Sequence, residues 1–366
     1  MRVRSLALEH FRSYERVTLA LSPAITAFVG ANGAGKTNLL EAIALVATGS
    51  SARARDDSEV IRWDAPFARI TALIERAEDE RKVELLVFAP QDGERRRARR
   101  WLVNGAGRRP EDAVGSATVV SFFPEDVALF SDGPSGRRRH LDTTLSQVDR
   151  AHRADVRELA RVLEQRNALL RTLRDGTGTA AELAFWDTEL CRLSAAVSLR
   201  RIALVRDLAP AYERAIGRFA GPRTMLRYVS QTEGDTVDER AEGYLRLVLE
   251  KRERELWQGA TLVGPHREDL AVSADGHAIA TFASRGEQRA AVLALRLAEA
   301  EWLTSRTSEP PIFLLDDVLS ELDPARRDAL VAALPEGAQA LLTASVPSGL
   351  PASLTARGSI VPVPFA

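Results

Sequence analysis

The segment Gly30–Thr37 constrains this chain more than any other part of its sequence. Its residues, Gly-Ala-Asn-Gly-Ala-Gly-Lys-Thr, fit the pattern GxxxxGK[ST], in which glycines let successive backbone N–H groups turn toward a phosphate. A short apolar run, Ile25–Val29, precedes the glycines, and a helix-like stretch from Lys36 to about Val46 follows them. Because strand, glycine loop and helix is the order that a phosphate-binding loop requires, we expect Lys36 to reach the β- and γ-phosphates of a nucleotide and Thr37 to bind Mg²⁺.

A second apolar run ends in two acids. Ile312–Leu315 has the composition of a buried strand, and Asp316 and Asp317 follow it directly. An acid at that position brings a carboxylate beside the bound phosphates, so we expect Asp316 to complete the Mg²⁺ site with Thr37. Asp317 is placed to orient or deprotonate water, which makes it the candidate catalytic residue. Either acid alone could instead cap a loop.

A serine-containing pentapeptide discriminates among the protein classes that carry such a loop. It precedes a long amphipathic run, Arg289–Leu303, and consists of Ser284, Arg285, Gly286, Glu287 and Gln288. A serine at a helix start with a glycine two residues later leaves N–H groups free to face an anion, as in the signature motif of ABC ATPases. In that family the motif binds the γ-phosphate of ATP held by the other subunit. A plain N-cap is the alternative.

The order of the motifs favours the ABC interpretation. Asp323 follows the strand that carries Asp316, as the D-loop does in ABC ATPases, although Asp323 before Pro324 is also a normal helix N-cap. With the phosphate loop first, the pentapeptide second and the acidic strand third, the sequence predicts an α/β fold, an ABC-type P-loop ATPase head.

A segment of helical character, Pro134–Leu256, separates the two halves of this head. Apolar residues recur at spacings of three and four through Val156–Leu173 and again through Leu183–Val197, with an Asp-Gly-Thr-Gly turn at 175–178 between them. Two antiparallel helices folded about this turn would form a short coiled-coil-like arm, each roughly 30–40 Å long at ~1.5 Å per residue. The expected domains are the head, 1–130 with 257–366, and the inserted helical arm, 131–256.

Charge and composition restrict the setting in which the protein works. Lys and Arg number 50 against 51 Asp and Glu, so any DNA affinity must come from local patches of positive charge. Cys191 is the one cysteine, which excludes a disulfide framework within the chain. No apolar stretch reaches the length of about 18 residues that a membrane span needs, and the N-terminus lacks the apolar run of a signal peptide. We therefore expect a cytoplasmic protein without a membrane partner.

Two runs of arginine are the candidate DNA contacts. The first lies on an expected hairpin strand whose tip projects into solvent, and the second lies at the start of the helical segment. Arginines in such runs contact phosphates without reading bases, which predicts duplex binding that weakens steeply with added salt. A solvated charged surface is the alternative for both runs. The candidates are Arg95, Arg96, Arg97, Arg99 and Arg100, followed by Arg137, Arg138 and Arg139.

Beyond single motifs, the chain resembles the RecF family of bacterial recombination and repair proteins nearly from end to end. The most family-specific matches are Gly264–Leu270, with the residues GPHREDL, and Leu314–Asp323, with LLDDVLSELD. Further matches are His10–Tyr14 at a strand end, Phe123–Asp126 in the Q-loop region, and Gly133–Asp142 at the entry to the arm.

This resemblance implies a protein that binds ATP and Mg²⁺ and forms a homodimer when ATP is bound. It also implies binding to duplex DNA, especially at single-strand/double-strand junctions near gaps, slow DNA-stimulated ATP hydrolysis, and a partnership with RecR that aids the loading of RecA. The ATP-binding residues that it implies within one copy are Gly30, Ala31, Asn32, Gly33, Ala34, Gly35, Lys36, Thr37, Asn38, Arg12 and Ser13. Those that it implies in the other copy are Ser284, Arg285, Gly286, Glu287 and Gln288, with Asp323 in the D-loop.

Departures from ABC heads in general predict slow turnover. Asp317 stands where a catalytic Glu is usual and is one methylene shorter, and no Gln marks the Q-loop. Thr343 and Ser345 follow the last buried strand, Ala338–Leu342, where a His is usual. A shorter base and a missing His weaken the alignment of the attacking water. We therefore expect a weak ATPase in which ATP acts as a switch more than as a motor.

Three other classes of protein carry some of these motifs. The ATPase subunit of a membrane transporter normally lacks an insertion like 131–256, and a structural chromosome protein of the SMC type needs far longer coiled coils. A zinc-hook relative of the SMC type needs Cys-x-x-Cys at the arm tip, whereas Cys191 stands alone. In a small-molecule kinase, the pentapeptide Ser284–Gln288 would have no function.

Overall fold

The chain divides into two compact units, of which the first holds residues 1–128, 210–223 and 284–366 and the second holds 129–209 and 224–283. A computed structural model describes residues 1–51, 53–54, 56–89, 99–179, 181–219, 223–274, 276–320, 322–347, 350–351, 354 and 358–364. Among these residues, no helix combines the length and the apolarity that crossing a membrane requires.

A parallel sheet forms the centre of the first unit. Its strands are β3 (Ile25–Val29), β8 (Val119–Phe122), β12 (Ile312–Leu315), β13 (Ala340–Ala344) and β14 (Gly358–Pro362). They lie in the order β14-β3-β13-β12-β8, and every neighbouring pair is parallel. The carboxyl ends of parallel strands meet at one edge of the sheet, so the residues that follow β3, β12 and β13 are brought together there.

An antiparallel sheet forms the second layer of this unit. Its strands are β1 (Arg2–Phe11), β2 (Tyr14–Ala20), β4 (Phe67–Glu75), β5 (Glu80–Phe88), β6 (Arg99–Val103) and β7 (Ala106–Arg108), in the order β2-β1-β4-β5-β6-β7. In β4 alternate residues are buried, as period-two patterning requires. The Asn104-Gly105 turn joins β6 to β7 with positive φ at both residues (52° and 78°), which is the geometry that this dipeptide favours.

Helix α1 (Lys36–Thr48) packs into the core that the two sheets share. Its residues from Leu39 to Ala47 are all buried, and the cluster that contains them includes Ile70 of β4 and Leu314 of β12. Eight of these nine residues are apolar, and a helix segment of that kind is stable only when it is covered on all sides. The remaining helices of the unit are α2 (Pro110–Ala113), α9 (Arg285–Thr307), α10 (Pro324–Ala333) and the end of α5 (Glu182–Arg218).

The second unit is largely helical and also contains a small sheet. Its helices are α3 (Pro134–Ser146), α4 (Arg150–Arg174), α5 as far as Ala209, α6 (Val237–Glu250), α7 (Arg252–Gln258) and α8 (Ile279–Phe282). Its strands are β9 (Thr224–Val229), β10 (Asp269–Ala274) and β11 (His277–Ala278), in the order β11-β10-β9. Helices α4 and α5 flank the turn that the sequence predicts at 175–178.

A buried ion cluster ties the arm helices to the segment that follows them. Arg166 interrupts the apolar spacing of α4 and has no exposed surface. Its guanidinium donates to Asp187 of α5 (2.9 Å), Glu255 of α7 (2.6 Å) and the Thr261 hydroxyl (2.8 Å). Every nitrogen of a buried arginine must find such an acceptor, so the cluster fixes how these three elements pack.

The observed units differ from the sequence-based boundaries in two places. Residues 257–283 belong to the second unit and not to the head, because β9 pairs with β10 along its length and Arg166 holds Thr261. Residues 210–223, expected in the arm, belong to the first unit. The expectation of helix throughout Pro134–Leu256 is wrong at β9, where alternating burial (Met225, Arg227 and Val229 exposed) is a strand pattern that helical periodicity on both sides concealed.

Candidate functional site

The loop between β3 and α1 has the geometry of a phosphate cradle. Gly35 has φ of +99°, and a β-carbon built on Gly30 would lie 1.8 Å from the Val363 carbonyl oxygen, so the loop tolerates no side chain at either position. Lys36, only 8% exposed, donates through Nζ to the carbonyls of Gly30 (2.6 Å) and Ala31 (2.9 Å). The ammonium is therefore held over the loop, and its contact with phosphates stays a prediction.

The two residues assigned to magnesium lie in direct contact. The Thr37 hydroxyl is 3.0 and 2.9 Å from the two carboxylate oxygens of Asp316. Burial raises the pKa of Asp316 above its ordinary value, which a divalent cation would reverse by favouring the charged form. A hydroxyl and a carboxylate are the hard oxygen ligands that Mg²⁺ prefers, so this pair fits the ion.

Thr343, at the end of β13, connects the two acids that follow β12. Its hydroxyl donates to Asp316 Oδ1 (2.8 Å) and accepts the N–H of Asp317 (2.8 Å). Asp317 has φ of +50°, a conformation that few non-glycine residues adopt, so the bond from its N–H helps to hold it there. In the sequence alone, Thr343 stands out only because it lies where a histidine is usual. Its position beside β12 depends on strand order, which a single sequence does not reveal.

The three residues that only the family resemblance implied also lie at the start of α1, with Asn38 in its first turn and Arg12 and Ser13 beside it. Arg12 pairs with Glu41 of α1 through two bonds (3.0 and 2.6 Å), and the Asn38 amide donates to the Ser13 hydroxyl (2.9 Å). The Tyr14 hydroxyl donates to the Gly35 carbonyl (3.1 Å), which anchors this strand end to the loop.

Arg53 and Glu125 belong to the same neighbourhood. Glu125 lies in the segment Phe123–Asp126 that carries part of the family resemblance, whereas no sequence motif marks Arg53. Arg53 Nη1 donates to Asn38 Oδ1 (3.1 Å) and Glu41 (3.1 Å), and its Nε lies 3.7 Å from Glu125. The charge of Arg53 lowers the pKa of Asp316 and that of Glu125 raises it, although burial is the largest influence. Glu125 therefore places a carboxylate close enough to Asp316 to act on its pKa.

A cavity of about 580 Å³ opens next to Arg12, Ser13 and Asn38. Its outer wall is formed by residues that follow a short 3-10 helix, Asp57–Val60. The indole of Trp63 is 92% exposed there, and Asp64 stands beside it with φ of +63°. A large ring left open to solvent beside a phosphate loop is suited to stacking on a flat heterocycle.

The pentapeptide forms the start of α9. Ser284 is the N-cap, and with Glu287 it makes a reciprocal capping box. Gln288 is buried, whereas Ser284 and Arg285 are exposed. Asp323 caps α10 by accepting the Arg326 N–H (2.9 Å), as the N-cap reading predicts. The guanidinium of Arg326 also approaches the pentapeptide, since a β-carbon on Gly286 would lie 3.4 Å from its Nη1.

The candidate DNA arginines differ in how much of each side chain is available. Arg99 bonds Asp57 (2.6 Å), Arg137 bonds Asp269 twice (2.8 Å each), and Arg138 donates to the Glu268 carbonyl (2.9 Å). Arg100 and Arg139 are exposed. Arg95, Arg96 and Arg97 lie outside the described residues.

The GPHRED segment has a structural role in the second unit. His266 and Arg267 both bond the Thr261 carbonyl, and burial lowers the pKa of His266 to about 4. Glu268, 1% exposed, accepts hydrogen bonds from the following donors: Ser198, Tyr228, Ser230, Tyr244 and the Gln231 N–H. The sequence alone leaves open whether His266 and Arg267 contact nucleotide or DNA or have a buried structural role; the described bonds are internal.

Comparison with known proteins gives consistent matches over this architecture. The family model for the RecF/RecN/SMC N terminal domain matches residues 2–347. A relative from Heliobacterium modesticaldum, named DNA replication and repair protein RecF, is 39% identical over 91% of this chain and 89% of its own length. A relative of the same name from Chloroflexus aurantiacus is 40% identical over 93% of this chain and 92% of its own length.

Solved structures agree with these matches. A structure of the recombination mediator protein RecF in its RecF-ATPrS form has a TM-score of 0.88 at 26% identity, covering 99% of this chain and 96% of its own. An SMC head bound to a winged helix domain of ScpA has a TM-score of 0.53 at 17% identity, covering 100% of this chain and 94% of its own, and supports the fold alone. The predicted fold, an ABC-type ATPase head with an inserted helical arm, is confirmed. The chain belongs to the RecF family.

Proposed function

We propose that this protein is an ATP-dependent DNA-binding protein of recombinational repair, in which ATP joins two copies of the chain on duplex DNA. The observation that carries the proposal is the contact of Thr37, Asp316 and Thr343 at the edge of the parallel sheet, beside the loop of Lys36. The names of the relatives and the solved RecF-ATP structure support the same assignment. A protein that acts on bacterial DNA works in the cytoplasm.

Within one copy, the triphosphate is held by the loop from Gly30 to Gly35 and by Lys36. Exchange of the two carbonyl bonds of Lys36 for phosphate oxygens leaves its ammonium satisfied in both states. Thr37 and Asp316 would hold Mg²⁺, which when bound neutralises charge on the β- and γ-phosphates. Arg53 adds a fixed positive charge near Asp316.

The nucleoside is assigned to the cavity beside Arg12, Ser13 and Asn38, with Trp63 as its stacking residue. The cavity adjoins the start of α1, where the phosphates bind, and its volume of about 580 Å³ is in the range of small-ligand sites. A base that stacks on Trp63 would cover a ring that is 92% exposed.

We expect slow hydrolysis, because the side chain of the general base Asp317 is short and no histidine helps to orient the attacking water. Asp317 accepts the proton of the attacking water, and Thr343 holds the Asp317 backbone. No histidine follows β13 in the sequence, where Ser345 and Val346 come next. ATP binding therefore acts as a switch, and DNA-stimulated hydrolysis resets it.

DNA contact is assigned to arginines that reach phosphates without reading sequence. Arg100 and Arg139 are exposed and remain the described candidates, whereas Arg99, Arg137 and Arg138 are engaged in internal bonds. We propose duplex DNA with single-strand/double-strand junctions as the ligand, and RecR with RecA loading as the downstream partnership; the RecFOR pathway is named for the similar solved proteins. Neutralising Arg100 and Arg139 should reduce both the affinity for DNA and its salt dependence.

Sedimentation with and without ATP and Mg²⁺ tests the proposal. Lys36→Met removes the cis phosphate contact, and Ser284→Arg blocks the contact proposed in trans. Each variant should fold and remain monomeric in ATP, and a mixture of the two should restore at most one composite site. ATP-dependent dimerisation of Ser284→Arg at the wild-type concentration would exclude this arrangement.

A further inference from the structure

The start of α9 is closed by an acid of the same helix. Glu287 Oε2 accepts the Ser284 N–H (2.7 Å) and the Ser284 hydroxyl (2.8 Å), while the Ser284 oxygen accepts the Glu287 N–H (3.3 Å). A carboxylate thus lies on the two donors that an incoming phosphate would need. Its negative charge is favoured there by the helix N-terminus.

A positively charged side chain lies near the start of α9. Arg326 of α10 approaches Gly286, and its charge acts on Glu287, whose pKa is lowered chiefly by the hydrogen bonds from Ser284. The carboxylate is therefore ionised at neutral pH. A serine N–H and a serine hydroxyl hold one anion at the helix N-terminus, where the charge of Arg326 also favours it, and the chain fills this position with its own side chain.

The chain contains the same capping arrangement at another helix. At the start of α6, Glu239 accepts the N–H groups of Asp235 (2.8 Å) and Thr236 (3.1 Å), and Thr236 accepts the Glu239 N–H (3.2 Å). This second box belongs to the other unit and has no proposed nucleotide role. It separates the ordinary contribution of a capping glutamate from any contribution specific to α9.

We infer that Glu287 occupies, in the free protomer, the position that the γ-phosphate of the partner copy's ATP takes in the dimer. The inference rests on the proposed function, in which Ser284 binds nucleotide in trans. The two copies then join only when the phosphate displaces the carboxylate from Ser284, and Arg326 remains to neutralise the phosphate. Glu287 therefore sets how strongly the γ-phosphate must compete before the two copies dimerise. It also favours ATP over ADP, because ADP has no γ-phosphate to compete with the carboxylate.

Glu287→Gln tests this role without removing the cap, since glutamine also completes a capping box. Its amide should compete less well for the phosphate position because it carries no charge. Two such sites occur in a symmetric dimer, so the dissociation constant of the ATP-bound dimer should fall by roughly three- to thirtyfold, given the usual strength of a charge at a helix N-terminus. Binding of ATP to the monomer should not change.

Glu239→Gln is the matched control, because it makes the same substitution in the other capping box. Sedimentation in Mg²⁺ with ATP, and separately with ADP, would be measured for the wild type and both variants. We expect tighter dimers for Glu287→Gln in ATP, wild-type behaviour for Glu239→Gln, and monomers for all three proteins in ADP. Equal or weaker dimerisation of Glu287→Gln in ATP overturns the inference, as does an equal gain from Glu239→Gln.

Failure of the inference can be told apart from failure of the proposed function. A wild-type protein that binds ATP but stays monomeric at all concentrations refutes the proposed dimer, and the inference with it. A wild-type protein that dimerises in ATP, and whose dimerisation Ser284→Arg abolishes and Glu287→Gln leaves unchanged, refutes only the role of Glu287.

Discussion

Thr343→Val changes the site at one atom and should slow ATP hydrolysis with little effect on ATP binding. Valine has nearly the shape of threonine, so the buried end of β13 keeps its packing. The substitution removes the donor to Asp316 Oδ1 and the acceptor of the Asp317 N–H, both at 2.8 Å. Lys36 and the glycine loop are untouched, so we expect the KM for ATP to change less than about threefold.

The size of the effect follows from the bonds that are lost. A hydrogen bond to a charged group contributes about 1.5–3 kcal/mol, and a buried N–H without a partner costs about 1–3 kcal/mol. Without Thr343, Asp317 is no longer held at φ of +50°. If about 1.5–3 kcal/mol of the lost hydrogen-bond energy raises the activation free energy of hydrolysis, kcat falls roughly tenfold to hundredfold. Half-maximal turnover should also need more Mg²⁺, since Asp316 loses a bond that favours its charged form.

Release of inorganic phosphate at saturating DNA measures kcat. Titration with ATP measures its KM, and titration with Mg²⁺ measures the concentration that gives half-maximal turnover. Thr343→Ser keeps the hydroxyl and should remain within about threefold of the wild type. Thr26→Val is the matched control, because Thr26 is buried in the neighbouring strand β3 and its hydroxyl accepts the Ser22 N–H (3.0 Å) away from the acids. A wild-type kcat for Thr343→Val, or equal loss in Thr343→Ser, would refute the positioning role.

Three further predictions concern other parts of the molecule. Arg166→Met leaves Glu255 buried without its cation and Asp187 paired with Arg252 alone, and it should lower the free energy of unfolding in urea by about 3–5 kcal/mol. Arg161→Ala, which removes an exposed ion pair with Glu158 on α4, should leave stability unchanged. Because burial lowers the pKa of His266 from 6.5 to about 4, the unfolded chain binds the extra proton first; stability should be full above pH 6.5 and fall toward pH 4, and His266→Gln should flatten that slope. Trp63→Ala should weaken ATP binding by about tenfold while leaving inorganic triphosphate binding unchanged, and equal weakening of both would remove Trp63 from the base site.

Much of the head was predictable because its signals are local. Glycine spacing located the loop before α1, and the apolar run Ile312–Leu315 coincides with β12. The strand β9 was missed because six residues of alternation lie between long helices. The limits of the second unit were misplaced because they depend on pairing between β9 and β10 and on the buried Arg166, which are contacts between residues far apart in sequence.

The same difference between local motifs and contacts distant in sequence applies to the candidate site. Residues with a motif, such as Lys36, Thr37 and Asp316, lie where the spacing predicts, since a motif encodes its own geometry. Thr343 and Arg53 carry no motif, and they join the site through strand order and through loop packing. For His266 the local pattern could not separate a ligand contact from a buried turn.

The phosphate loop packs against residues near the end of the chain, and this affects folding during synthesis. Gly30 packs against the carbonyl of Val363, and the strand before Val363, β14, pairs with β3. A ribosome therefore releases the loop long before it releases the residues that support it. Until they arrive, a nascent chain exposes a glycine-rich turn with an unsupported apolar strand, and such a chain should bind no nucleotide and should depend on chaperones.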